Sequence, residues 1–87
     1  MSIYDIGIVC KKTMGREKDK YCAVVDIIDK NYLLIDGLSV KRRRVSKNHI
    51  EIEDEKKPEY IKIKKGATHD KVVAAITKAK LEKKLSS

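Results

Sequence analysis

The sequence predicts a small, mainly β domain: five short strands rolled into a barrel or sandwich, then one added strand and an α-helix. Three observations carry this. Apolar residues alternate with a period of two through residues 4–10 and 21–28, which sends successive side chains to opposite faces of a strand. Turn chemistry recurs at Asp29-Lys30-Asn31, Asp36-Gly37 and Ser46-Lys47-Asn48, where Asp, Asn and Ser bond their own backbone and Gly accepts positive φ. The period becomes helical only from about His69 onward. With 87 residues, of which 23 are Ile, Val or Leu, the chain can fill one core but not two.

Residues 4–10 (YDIGIVC) place Tyr4, Ile6, Ile8 and Cys10 on one side of a first strand. In residues 21–28 (YCAVVDII), Tyr21, Ala23, Val25 and Ile27 make one face wholly apolar. The other face carries a single charge, Asp26. Tyr32–Ile35 reads as a third strand closed by Asp36-Gly37, a strong hairpin signal. Leu38–Val45 follows as an Arg-rich fourth strand, and His49–Ile52 as a short fifth. Residues 1–52 thus form the barrel. Residues 53–59 (EDEKKPE) hold the only proline, Pro58, and form a charged connector. Residues 60–87 supply a strand, Tyr60–Lys64, and a helix, both packed on the barrel within one structural domain. Thr68 suits the helix N-cap, with Asp70 in the favourable first turn. Val72, Ala75, Ile76 and Ala79 share a stripe about 100° wide. Leu81 and Leu85 fall on the opposite side, so the last turns fray or touch another molecule.

Several functions are excluded. The longest uncharged apolar runs, such as Tyr21–Val25, are far short of the roughly 18 residues that span a bilayer. Residues 1–10 show no basic flank followed by an apolar stretch, so the expected address is the cytosol. Cys10 and Cys22 make neither a disulfide framework nor a zinc site, even with His49 and His69, because no paired ligand spacing exists. Both cysteines read as small buried apolar residues, and no metal or cofactor is expected. Asp26, Asp29 and Asp36 are close in sequence, but two of them sit in turns. No nucleophile–base arrangement and no Gly-rich phosphate cradle can be assembled, so the chain does not read as an enzyme. A Lys-rich composition without Gln leans towards a heat-adapted source.

The charge is more informative. The chain carries 21 Lys+Arg against 13 Asp+Glu, a net +8. Residues 1–37 are neutral as a block, yet residues 11–20 within them are +3. Residues 38–52 are +4, 53–60 are −2, 61–70 are +2 and 71–87 are +4. A merely solubilising surface intersperses its signs. Gathered charge predicts a directed basic face that meets a polyanion. In a fourth strand, Arg42 and Arg44 share one side and Lys41 and Arg43 the other, so one Arg pair projects outward. Guanidinium forks suit phosphate oxygens and stack on bases; the plainer alternative is a charged edge that discourages aggregation. The ten-residue loop 11–20 is long for a hairpin, and a basic loop on a rigid sheet is a usual place for binding groups. Its plainer alternative is a solvated loop. Tyr4, Tyr21 and Tyr32 read as core or rim residues rather than base-stacking platforms.

The run from Tyr4 to Asp29, with Ile6-Gly7-Ile8-Val9, Gly15-Arg16-Glu17, Lys20 and Cys22 to Asp29, resembles a KOW motif. Continued through Leu33-Leu34-Ile35-Asp36-Gly37 into Val40 to Val45, and on to Lys64-Lys65-Gly66-Ala67, it resembles the archaeal/eukaryotic large-subunit ribosomal protein family fourteen-e over residues 3–77. The resemblance implies an SH3-like, KOW-type barrel that binds ribosomal RNA in translation, without catalysis. It implies as partners large-subunit rRNA and neighbouring ribosomal proteins, with no membrane or small-molecule substrate, and a monomer outside the ribosome. By position, the implied RNA contacts are Lys11, Lys12, Arg16, Lys18 and Lys20 in the loop, and Lys41, Arg42, Arg43, Arg44, Lys47 and His49 on the rim. KOW loops carry a glycine before the lysine at this point, where Asp19 stands here. Asp is among the few other residues that accept a left-handed backbone. The main alternative is a chromatin or elongation-factor module of the same shape, binding DNA or a polymerase complex. A third is a protein-interaction barrel that uses the aromatic rim and the helix stripe.

Overall fold

The alternation at residues 21–27 is realised as β2 (Tyr21–Ile27), the middle strand of one antiparallel sheet. β1 (Val9–Lys12), β3 (Tyr32–Asp36), β4 (Arg43–Ser46) and β5 (Ile50–Glu51) complete the sheet in the order β4-β3-β2-β1-β5. The computed structural model describes residues 4–52 and 56–79. β4 and β5 are at opposite ends of the sheet, yet only a 3₁₀ turn, Lys47–His49, separates them in the chain. Five flat strands span about 19 Å at the usual strand spacing, whereas a 3₁₀ turn rises about 2 Å per residue. The sheet must therefore curl until its edges approach. Tyr4, ahead of β1, is tied to β5, its hydroxyl donating to the Ile50 carbonyl at 3.2 Å. A bulge between Val24 and Asp26 adds bend to β2. The result is mainly β and SH3-like, an open barrel: among the described residues no ladder joins β4 to β5.

Both faces of the sheet centre are covered, and the residues of β1 and β2 that lie there are apolar. Ile8, Cys10, Cys22 and Val24 point into the barrel with Leu33, Ile35, Val40, Val45, Ile50 and Ile52. Val9, Ala23 and Val25 point outward against Ile61, Ala67, Val72, Ala75 and Ile76. That second layer comes from α1 (His69–Lys78) and the segment before it. The Thr68 side chain accepts from Lys71 N at 3.4 Å as the expected N-cap. Val72, Ala75 and Ile76 are buried, while Ala79 forms the C-cap and is exposed.

Several element boundaries differ from the sequence reading, among them that of β5, which keeps only Ile50 and Glu51 of residues 49–52 because His49 closes the 3₁₀ turn. Residues 5–7 turn instead of extending β1: Gly7 has φ +87°, and a Cβ there would stand 2.3 Å from the Ile61 carbonyl oxygen. The turn lets residues 59–61 cross the barrel, with Ile61 N donating to Gly7 O at 2.8 Å and Val9 N to Glu59 O at 2.8 Å. The added strand at Tyr60–Lys64 shrinks to one bridge, Ile8 with Tyr60. The chain then leaves the sheet edge to bring Gly66 N to Val25 O at 3.0 Å. Lys11 and Lys12 belong to β1, not to the loop. β4 begins at Arg43 rather than Leu38, and Asp36-Gly37 opens a loop over residues 37–42 instead of a two-residue hairpin. Leu81 and Leu85 lie outside the described residues, as do residues 53–55 of the connector.

Candidate nucleic-acid interface

The loop after β1 is set by its own backbone. Lys12 N donates to Lys20 O and Asp19 N to Lys12 O, both at 2.8 Å, with Lys20 N reaching Glu17 O at 3.0 Å. Closing this turn requires left-handed backbone at two positions. Gly15 takes φ +85° and Asp19, standing where the KOW glycine is expected, takes φ +70°. Asp is tolerated there because its short side chain leaves the strained region less crowded.

This loop joins the other two basic segments. Glu17 Oε2 accepts from the Lys41 backbone N at 2.8 Å. Its Oε1 stands 3.5 Å from Arg43 Nε, an ion pair too long for a hydrogen bond, which leaves that buried oxygen without one. On the other side, Thr13 N donates to His49 O at 2.8 Å and Thr13 Oγ1 to Asn48 O at 3.4 Å. Residues 13–20, 41–43 and 47–49, distant in the chain, are therefore neighbours on one rim.

The individual cations fare differently. Arg16, Lys18 and Lys41 are exposed, and Lys20 is half-buried; none of the four has a carboxylate within ion-pair distance among the described residues. Lys47 and His49 lie half-buried in the 3₁₀ turn. Lys11 Nζ is 3.7 Å from Glu51 Oε1, its cross-strand neighbour. Lys12 is buried, only 6% exposed, beside the barrel interior. Arg44 is exposed on the outer sheet face, opposite Leu34, with its guanidinium 5.4 Å from the centre of the Tyr32 ring. Such a stacked guanidinium is held flat and keeps its donors outward.

Arg42 has another role. Its Nε and Nη2 lie 3.2 and 3.1 Å from Asp36 Oδ2, and Nη2 also donates to the Ala67 carbonyl. Asp36 is fully buried and accepts further from Gly37 N at 2.8 Å, while His69 Nδ1 lies 2.9 Å from its Oδ2. This carboxylate ties β3, the loop 37–42 and the start of α1 together. Arg42 is thus turned inward to the joint between barrel and helix. The strand alternation that paired it with Arg44 does not apply, because the strand starts one residue later.

The comparisons with known proteins bear on the family of the chain. Over 83 residues the chain is 42% identical to large ribosomal subunit protein eL14 of Aeropyrum pernix, covering 91% of this chain and 79% of that protein. It is 40% identical over 81 residues to eL14 of Methanococcus vannielii, covering 93% and 99%. With eL14 of Sulfolobus acidocaldarius the identity is 46% over 85 residues, covering 93% and 84%. The chain belongs to the eL14 family of large-ribosomal-subunit proteins. A scan against protein-family models finds no match.

An eL14 protein is not an enzyme, and the cluster of Asp36, Arg42 and His69 is accordingly read as a structural joint. The sequence did not reveal that joint. Asp36 and His69 are 33 positions apart, and no spacing rule connects a strand end to a helix start. The sole hint was a carboxylate directly after an apolar run. No described helix is long and apolar enough to cross a membrane.

Proposed function

We propose that this eL14 chain is a structural component of the large ribosomal subunit in the cytoplasm, and that it grips ribosomal RNA through the loop 13–20 and the rim beside it. The observation that carries the reading is the double staple of that loop, by Glu17 to residues 41–43 and by Thr13 to residues 48–49. It gathers Arg16, Lys18, Lys20, Lys41, Arg43, Lys47 and His49 on one rim, with Arg44 on the adjoining outer face. Lys11 and Lys12 flank that set from β1, and Arg42 positions it from inside. Among the described residues, Arg16, Lys18, Lys20 and Lys41 of this set have no carboxylate within ion-pair distance. Exposed pairs such as Lys11–Glu51 hold by about 0–1 kcal/mol, so phosphates compete for them readily. Contact is with backbone and RNA shape more than base identity, since the rim offers point charges and forks rather than a base pocket.

The test is co-sedimentation of the full chain with large ribosomal subunits through a high-salt wash, paired with competition between large-subunit rRNA and duplex DNA at fixed salt. Retention on the subunit and preference for rRNA are expected. A preference for duplex DNA would move the protein to the chromatin or elongation-factor class.

A further inference from the structure

On the side of the molecule formed by α1 and the chain leading into it lies an open groove of about 830 Å³. Its walls carry Lys62, Lys64 and Lys65 from the extended segment, and Lys71 and Lys78 from the helix. Ile63, Ala74 and Ala75 line it as well, and no carboxylate does so among the described residues. The helical half follows from spacing: Lys71, Ala74, Ala75 and Lys78 occupy i, i+3, i+4 and i+7, one face of a helix. The strand-like half follows from alternation, with Ile63 packed on the outer core and Lys62 and Lys64 exposed. Among the described residues, only Lys65 of these five has a carboxylate within ion-pair distance, Asp26 Oδ1 at 3.9 Å.

We infer that this groove is a second RNA-binding surface, one that holds a stretch of sugar–phosphate backbone without reading its bases. The inference rests on the proposed RNA-binding role and extends it to a different face. Five lysines line one groove, and like charges gathered on one surface repel unless an anion lies between them. A polyanion offsets that repulsion and releases counterions on binding. A protein partner fits less well. Protein–protein interfaces deplete lysine and rely on aromatic or Arg anchors, none of which lines this groove among the described residues. Interfaces with nucleic acid are the strongly positive ones. The missing aromatics also remove base stacking, so the contact is sequence-independent.

The experiment is lysine acetylation of the full chain, followed residue by residue by mass spectrometry. Three samples are compared: the free protein, the protein with large-subunit rRNA stripped of other proteins, and the protein within intact large subunits. The inference expects Lys62, Lys64, Lys71 and Lys78 to acetylate several-fold more slowly with stripped rRNA, alongside Lys18 and Lys20 of the loop. Groove lysines that react at the free rate while the loop is protected would overturn the groove and leave the rim standing. Protection of the groove alone would support it while removing the rim. Groove protection seen only in intact subunits would assign the face to a neighbouring protein and overturn the inference. As a second arm, Lys64→Gln/Lys71→Gln/Lys78→Gln should lower the log–log salt slope of rRNA binding by about 2, and an unchanged slope would contradict it.

Discussion

At the scale of single residues, Asp36 matters most to the fold. Its carboxylate is fully buried and meets a guanidinium, an imidazole and a backbone N–H at once. Removing it leaves Arg42 without its partner at a site where the helix joins the barrel. Asp36→Ala should therefore cost about 3 kcal/mol, seen as a lower denaturant midpoint; a loss confined to a few tenths would mean water replaces the carboxylate freely. Asp19 tests the loop. At φ +70°, a β-branched residue is strained by about 1–2 kcal/mol. Asp19→Val should be destabilising by that much and Asp19→Gly tolerated, measured by the same unfolding curves. Cys10 and Cys22 face each other across β1 and β2, with Sγ atoms 3.3 Å apart, both as free thiols. The hydrogen bond to Cys22, then burial, then the charge of Cys22, push the Cys10 thiol well above its ordinary range. The unfolded chain loses that proton at lower pH than the folded one. The contribution is thus complete below about pH 8.5 and lost as pH rises beyond it. Stability should fall less between about pH 7 and pH 9.5 in Cys10→Ala than in the wild type; equal falls would contradict the shift.

At the scale of elements, the parts that were legible are those governed by short-range periodicity. β2 could be read because both of its faces are apolar apart from Asp26, and the two faces are buried in different cores. The start of α1 could be read because Thr68 has cap chemistry before an apolar stripe. Thr68→Ala should cost about 1 kcal/mol, with loss of helical signal on heating ahead of the main transition. The boundaries that moved were decided by partners far away in the chain. Gly7 bends because the Ile61 backbone passes within reach of its missing side chain. Arg42 leaves the strand pattern because Asp36 and Ala67 hold it. Neither contact has a local signature. The loop was legible as basic and long; its attachment through Glu17 was not, since an acidic residue in a basic loop reads equally well as plain solubility.

At the scale of the whole molecule, one sheet separates two apolar layers, and cations collect on surfaces that neither layer covers. The charge blocks along the sequence read as a directed basic face. They did not show that the loop, the rim and the 3₁₀ turn meet, because that depends on the curl which brings β4 and β5 together. Folding here arranges the charge as much as it buries the core. The most direct measurement of the central claim is the salt dependence of large-subunit rRNA binding by the wild type and by Arg16→Gln/Lys18→Gln/Lys41→Gln. These three side chains are exposed and have no role in either core. The account predicts a slope of log affinity against log salt that falls by about 2–3, with the same loss of affinity on unrelated rRNA fragments. A variant with unchanged slope and affinity would show that the rim does not hold the RNA.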